Sequence, residues 1–482
     1  MTSNSEKGKY MSLAGSHIVE YAVTFSCFML IFGVGCVVGF ISPALSILTA
    51  SDSPIAITAI DTSNLAAVIG IGHMIAPSLI GHLIDVLGRR GCLLGTAIIL
   101  TISWGLNAIA GNAIVLLIAR IFGGLSIVLG MGLVPLYLGE ISSPELRGVI
   151  GTVTGSALSC GILFAYAVLP YIKIRMFSLL LLGIAAASTI GIYFIPESPY
   201  FFAMKCKFQL AEETLEKFKG KSDVTQELEL IKESVKIQCE QLEKHEEWKA
   251  NGKNGAKPKK FRAFRETIRV RGYRRALLIN VMFSVILQAG GYFPLFTYGS
   301  TIFTAMKVGP GEYVASVTSA VIQLFFNILT SFFINRLGRR PLVCLSGVLG
   351  GLCTLGISVY FYVMEHTDVN VSAYSNVALF VVYLYIATVN FGMMPLQLVT
   401  VSETIAPEVK AMINMIVGII VGLTATVTAK LYILTAVSWG LGHCVPFLGF
   451  TLTTWICTAV ILKNLPETKG KTLLEIQSDL HA

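Results

Sequence analysis

Charged residues are scarce in this chain. They make up 13% of its 482 positions against 54% apolar residues, and the mean hydropathy is +0.73. Soluble domains carry about 25% charged residues, so the ionic surface that would keep a globule of this size in water is missing. That excludes a soluble enzyme. A nucleotide-binding loop, metal-ligand spacing and a nucleophile constellation are missing too, so the sequence points to no enzyme, no cofactor and no metal. The ten cysteines include no C-x-x-C or Cys/His spacing and sit mostly in apolar stretches, where they read as small packing residues. A cleavable leader is not indicated, because the first 17 residues are polar and the apolar stretch behind them is too long and too Gly-rich.

What is present is a series of apolar stretches. They fall near 19–48, 60–87, 91–110, 113–138, 148–172 and 175–195, then near 275–304, 311–336, 341–363, 375–401, 409–436 and 443–463. A helix crossing hydrocarbon needs about 20 such residues. The prediction is an all-α membrane protein with twelve transmembrane helices in two pseudo-symmetric six-helix halves, 19–195 and 275–463. A cytoplasmic tail (1–18) precedes them, a cytoplasmic loop with short helices (196–274) joins them, and a cytoplasmic tail (464–482) follows. Pro43, Pro77, Pro135, Pro294 and Pro395 fall inside the stretches and predict kinks.

The net charge of +8 does not describe a nucleic-acid groove, since 19 of the 36 Lys and Arg lie between Pro196 and Arg275. With the N-terminus inside, the outer loops hold only Lys173, Arg175 and Lys307, while Arg89, Arg90, Arg147, Arg336, Arg339, Arg340 and the central cluster are inside. Both termini are therefore expected in the cytoplasm. The one N-x-S/T sequon, at Asn370, then lies outside as a glycosylation candidate. Ala211 to Glu247 reads as Glu/Lys-rich helix, a solvated linker; the alternative role for such a loop is to bind anionic lipid or clamp the halves.

Gly81-His-Leu-Ile-Asp85-Val-Leu-Gly88-Arg89-Arg90 and Ser331-Phe-Phe-Ile-Asn335-Arg-Leu-Gly338-Arg339-Arg340 share a Gly-Arg-Arg ending, each closing the second span of its half. The halves read as duplicated copies. Glu140 with Arg147 seven residues on is echoed by Glu403 with Lys410 seven residues on. These place a carboxylate at the inner end of one helix and a cation at the start of the next. Such a contact exists in one conformation and breaks in another, which makes it a candidate gate.

These residues resemble the sugar porters of the major facilitator superfamily over essentially the whole chain. The likeness rests on the Gly81–Arg90 loop, Arg120 in helix 4, Pro135, Tyr137, Glu140, Arg147 and Gly148, Pro196-Glu197-Ser-Pro199, and Pro466-Glu467-Thr-Lys-Gly470. Within that family, Gly39-Phe-Ile-Ser-Pro-Ala-Leu45 and Pro-Glu-Ser-Pro-Tyr200 look like the insect facilitated trehalose transporter branch. The resemblance implies a plasma-membrane carrier working by alternating access around a central sugar site. It also implies an inner gating network of Asp85, Arg89, Arg90, Arg120, Glu140, Arg147, Glu197, Arg339, Arg340, Glu403, Lys410 and Glu467, with Arg120 near the inner half of helix 4 beside Glu140.

The departures fall where sugar should bind. Helix 7 keeps Gln288 but loses the family's second Gln and Asn, Gly155 replaces a Gln in helix 5, and helix 10 reads Met394-Pro395-Leu-Gln397-Leu398 without the stacking Trp. The remaining sugar-contact candidates are Gln288, Gln323, Asn390 and Gln397, whose amides both donate and accept, with Tyr292, Phe293 and Tyr298 as stacking surfaces. Helix 1 has Ile41 where proton-coupled relatives carry Asp, so uniport is expected. His73 and His82 read as packing or helix-end residues, and Lys430 as a cation snorkelling to the outer surface. The leading expectation is facilitative transport of a neutral sugar such as trehalose or a hexose. The alternatives are a scaffold kept as a sensor or receptor, or as a carrier of a non-sugar solute.

Overall fold

The computed structural model describes residues 3–50, 57–142, 147–219, 267–333, 338–367, 374–405, 407–469 and 473–481, with isolated positions at 53, 55, 224–225, 228–233, 235 and 471. Among these, twelve helices are long and apolar enough to cross a membrane, and no strand occurs. They are α1 Val19–Thr49, α2 Ile60–Gly81, α3 Leu83–Ile109, α4 Ala113–Ile141, α5 Thr154–Tyr171 and α6 Ile174–Phe194. The second set is α7 Arg271–Ala305, α8 Glu312–Thr330, α9 Arg339–His366, α10 Ser375–Thr404, α11 Val409–Ser438 and α12 Cys444–Asn464.

Within the first half, α3 packs on α4 and α6, and α1 on α5; within the second, α9 packs on α12, and α7 on α11 and α12. The halves meet along three pairs, α2 with α11, α5 with α8 and α1 with α7. At α2 and α11 the approach is between backbones: a Cβ on Gly70 would collide with the Gly422 carbonyl, and one on Gly422 with the Gly70 carbonyl. Side chains that small are what allow membrane helices to pack without hydrophobic drive between them.

The helices break at specific places. α2 and α3 are continuous in hydrogen bonding, with the bend at Gly88 (φ 78°), a backbone conformation that glycine adopts without penalty. α7 is two pieces, ending at Ala289 and restarting at Tyr292, with Gly291 at φ 107° between them. α10 widens to a π-helical stretch at Val389–Met393. Pro294 lies in the first turn after the α7 break, where a missing N–H costs nothing. Pro395 follows the π-helical stretch, whose Asn390 and Phe391 carbonyls accept the Thr330 hydroxyl at 3.2 and 3.4 Å, while Pro43, Pro77 and Pro135 sit within continuous helix.

The loop between the halves contributes the short helices Pro199–Met204 and Phe208–Lys219. They share a small apolar core of Ala203, Ala211, Leu215, Val224, Leu228 and Val235. Of the expected helix from Ala211 to Glu247, residues 211–219, 225, 228–233 and 235 are helical, and 220–223, 226–227, 234 and 236–247 lie outside the described residues. A final helix, Leu473–His481, tucks Ile476 and Leu480 against the second half, where the Leu480 carbonyl accepts a bond from Arg275 Nη1 at 3.2 Å. Of the cysteines, Cys27, Cys36, Cys92, Cys353, Cys444 and Cys457 are buried, Cys160 is partly so, Cys206 and Cys344 are exposed, and Cys239 lies outside the described residues.

Candidate functional site

A cavity of about 420 Å³ lies between the halves. The first half supplies Val38, Ile41, His73, Arg120, Met131 and Ile162 to its wall, and the second supplies Gln288, Tyr292, Phe293, Gln323, Met394 and Gln397. The two helix interruptions border it: the α7 break lies between Gln288 and Tyr292, and the π-helical stretch of α10 directly precedes Met394. Irregular turns in otherwise regular membrane helices are tolerated where they line such a cavity.

On the face away from the termini the cavity is closed. Ser42 Oγ of α1 lies 3.1 Å from Ser300 Oγ of α7 and accepts the Ser300 N–H at 2.9 Å. Tyr166 of α5 donates to the Phe296 carbonyl at 3.1 Å, Thr426 of α11 donates to the Ala67 carbonyl at 3.1 Å, and Lys430 reaches Asn64. Toward the termini, α4 and α10 face each other across the cavity through Met131 and Leu398, and Leu398 is 63% exposed.

The sequence candidates divide three ways. Gln288, Gln323, Gln397 and Tyr292 line the cavity. The Gln288 and Gln323 carbonyl oxygens have no partner among the described residues, whereas the Gln397 amide donates to Ser284 Oγ at 3.0 Å. Asn390 stands behind the wall, buried, accepting the Tyr292 hydroxyl at 3.2 Å and donating to the Ile386 carbonyl at 2.8 Å. It orients Tyr292 rather than facing the cavity. Tyr298 is 1% exposed, donates to the Ala429 carbonyl at 2.9 Å and stacks on Tyr432, so it is a packing residue and not a stacking surface for solute.

Arg120 also needs correction. It lies seven residues into α4, at the end opposite Glu140 and about 30 Å from it along the axis at 1.5 Å per residue. There it lines the cavity and donates from Nη1 to the Val37 carbonyl at 2.8 Å. Its neighbour in the wall is His73, both of whose ring nitrogens lack a partner among the described residues. The sequence reading assigned His73 to packing; the side chain of His82 lies outside the described residues.

The remaining charged candidates gather on the face that carries the termini, in two matching clusters. In the first half, Arg89 Nε meets both Glu140 oxygens at 3.0 and 3.1 Å, and Ser198 Oγ also donates to Glu140. Glu197 accepts the backbone N–H groups of Arg89 and Arg90 at 3.0 Å, capping the helix that restarts after Gly88. Tyr137 donates to the Pro196 carbonyl at 2.6 Å, and Arg90 donates to the Tyr193 carbonyl. In the second half, Arg339 Nη2 meets Glu403 at 2.9 Å and Thr468 Oγ1 donates to Glu403 at 2.5 Å. Glu467 accepts the N–H groups of Arg339 and Arg340 at 3.0 and 3.2 Å, and Arg340 donates to the Leu462 carbonyl at 2.8 Å. Burial pushes the Glu467 carboxyl up, but the N–H groups of Arg339, Lys469, Arg340 and Thr468 together outweigh it and hold the group below the ordinary range. Both ion pairs lie within a half, not between halves. Asp85 and Lys410 are exposed and join neither cluster among the described residues; the side chain of Arg147 and residue Asn370 lie outside the described residues.

On the opposite face, Glu365, His366 and Cys444 bring three potential metal-ligand atoms within 4.8 Å of one another. Glu365 already accepts the backbone N–H groups of His443 at 2.7 Å and Cys444 at 3.4 Å, so it acts as a cap for α12.

Twelve helices in two pseudo-symmetric halves, a solute-sized cavity between them and paired charge clusters on one face define a transporter of the major facilitator fold. The family model for "Sugar (and other) transporter" matches residues 19–480, and the chain belongs to that family, as a sugar porter of the major facilitator superfamily. Among curated proteins it is similar to "Sugar transporter ERD6-like 6" of Arabidopsis thaliana, 27% identical over 93% of this chain and 87% of that one. It is also similar to "Facilitated trehalose transporter Tret1" of Bombyx mori, 24% identical over 93% and 84%. Among solved structures, the partially occluded inward-open xylose transporter XylE from E. coli superposes with a TM-score of 0.73 at 20% identity, covering 94% of this chain and 99% of that one.

Proposed function

We propose that the protein is a facilitative uniporter of a neutral sugar such as trehalose or a hexose, a carrier and not an enzyme, working by alternating access in the plasma membrane with both termini cytoplasmic. The observation that carries this reading is the cavity itself: it is walled by both halves and offers the amides of Gln288, Gln323 and Gln397 beside Tyr292. Two of those amides have carbonyl oxygens without a partner among the described residues, the acceptors that sugar hydroxyls would satisfy. Uniport is supported by the wall residues, since Val38 and Ile41 are the helix 1 contributions and no Asp or Glu lines the cavity among the described residues.

In this reading each charge cluster holds the cytoplasmic end of its own half rigid, so that the halves rock as bodies about the cavity. Arg147 and Lys410 provide the contacts made and broken between halves. The expected orientation puts Asn370 outside as a glycosylation site.

A second reading has one observation in its favour: apart from these groups and His73, Arg120 and Thr297 the wall is aliphatic, aromatic, glycine and Met-lined, which also suits a non-sugar solute or a receptor that has kept the scaffold. Reconstituted protein decides between them. Saturable, trans-accelerated uptake of a mono- or disaccharide, insensitive to a protonophore at constant external pH, supports the uniporter. Saturable binding without trans-acceleration supports the receptor, and trans-accelerated uptake confined to non-sugar solutes replaces the substrate.

A further inference from the structure

The cavity wall contains a permanent positive charge with no acid opposite it among the described residues. Arg120 is 3% exposed, and of its three guanidinium nitrogens only Nη1 has a hydrogen-bond partner among the described residues, the Val37 carbonyl at 2.8 Å. His73, 8% exposed, lines the same cavity with both ring nitrogens unpartnered. The cavity has no acid in its wall among the described residues, and an arginine does not shed its proton to escape such a site.

We propose that the central cavity contains an anion subsite, in which the Nε–Nη2 edge of Arg120 and the ring of His73 take a carboxylate-like monoanion. The geometry favours that class because the free edge presents two parallel N–H donors, the pattern that the two oxygens of a carboxylate match. His73 adds a further donor from α2. The charge has two possible sources: a carboxylate carried by the sugar ring, as in a hexuronate, or a small free anion held beside a neutral sugar. The inference rests on the reading of this cavity as the solute site.

The test is the thermal unfolding midpoint of the purified full chain in a chloride-free zwitterionic buffer, titrated separately with glucuronate, glucose, acetate and chloride. A saturable rise with at least one anion, weakened about tenfold or more in Arg120→Gln, is the expected result. Arg120→Lys keeps the charge but loses the two-point edge, so it should weaken glucuronate or acetate more than chloride; it decides the matter if Arg120→Gln fails to fold. Glucuronate acting well below acetate assigns the charge to the sugar, and equal action of acetate and glucuronate assigns it to a free anion. The proposal is overturned if no anion shifts the midpoint, or if the shifts persist unchanged in Arg120→Lys and His73→Gln, which would leave Arg120 as a clamp between α4 and α1. Counterflow of neutral sugar in the same preparation keeps the two readings apart. Counterflow without any anion effect removes only the subsite, whereas an anion effect without counterflow of any sugar supports the subsite and removes the uniporter.

Discussion

The two charge clusters on the terminal face are assembled from the same parts at different depths. In the first half the Arg89 and Glu140 side chains are 7% and 12% exposed; in the second, Arg339 and Glu403 are 11% and 24% exposed. Tyr137, three residues before Glu140, reaches across to the Pro196 carbonyl, whereas the equivalent position before Glu403 is Thr400, too short to make that strap. Duplication has kept the ion pair and the capping carboxylate in each half, and burial has drifted. A pair removed from water loses more when one partner is deleted, because the other is left charged and unsolvated, so the first half should be the stiffer body.

The largest effect that would sharpen or break this contrast is Glu140→Gln. It should cost about 3 kcal/mol by stranding Arg89, against about 1 kcal/mol for Glu403→Gln at its wetter site. Unfolding midpoints in detergent at matched purity measure both, and equal losses would show that the difference in depth has no energetic weight. Next, Gln288→Ala should raise the apparent KM for a transported sugar several-fold, the loss of about one neutral hydrogen bond. Gln323→Ala should do less, since that side chain is 1% exposed while Gln288 is more open to the cavity. Near-silent results in both variants at normal surface expression would place the solute elsewhere. Tyr137→Phe removes the strap alone and should lower the first half's stability by under about 1 kcal/mol.

The smallest effect is a pH dependence. Glu467, held below the ordinary carboxylate range in the folded protein, contributes stability that is present above its unfolded pKa and is lost as pH falls through its lowered folded value. Unfolding midpoints taken down through the acid range should therefore fall more steeply for the wild type than for Glu467→Gln. Parallel profiles would show that the backbone N–H groups around Glu467 add nothing specific to its charged form.

Much of this architecture is legible in the sequence because hydrocarbon imposes it. A span needs its apolar length, and the duplicated Gly-Arg-Arg endings mark the halves, so the twelve helices follow from the chain. The partners within the clusters do not: spacing sets Glu403 against Lys410, whereas Glu403 meets Arg339. Rotation about a helix axis is not encoded in the same way. Tyr298 and Tyr292 lie six residues apart on one apolar helix, where no polar face tells which aromatic looks into the cavity. The non-helical backbone at Tyr298 resets its facing relative to Tyr292. Asn390 is turned back by its bond to the Ile386 carbonyl, a local choice within the π-helical stretch that no spacing predicts. The depth of Arg120 was available: counting from Ala113 places it in the first third of α4, far from Glu140.

In the proposed cycle a solute passes between the halves through the Gln288 cavity without moving a proton. Counterflow measures it most directly: proteoliposomes preloaded with unlabelled sugar are diluted into trace labelled sugar, with a protonophore present, and pH is followed inside. A uniporter gives transient accumulation of label above equilibrium, unchanged by the protonophore, without alkalinisation, and reduced in Gln288→Ala. Accumulation that collapses with the protonophore, or uptake that brings protons with it, would contradict it.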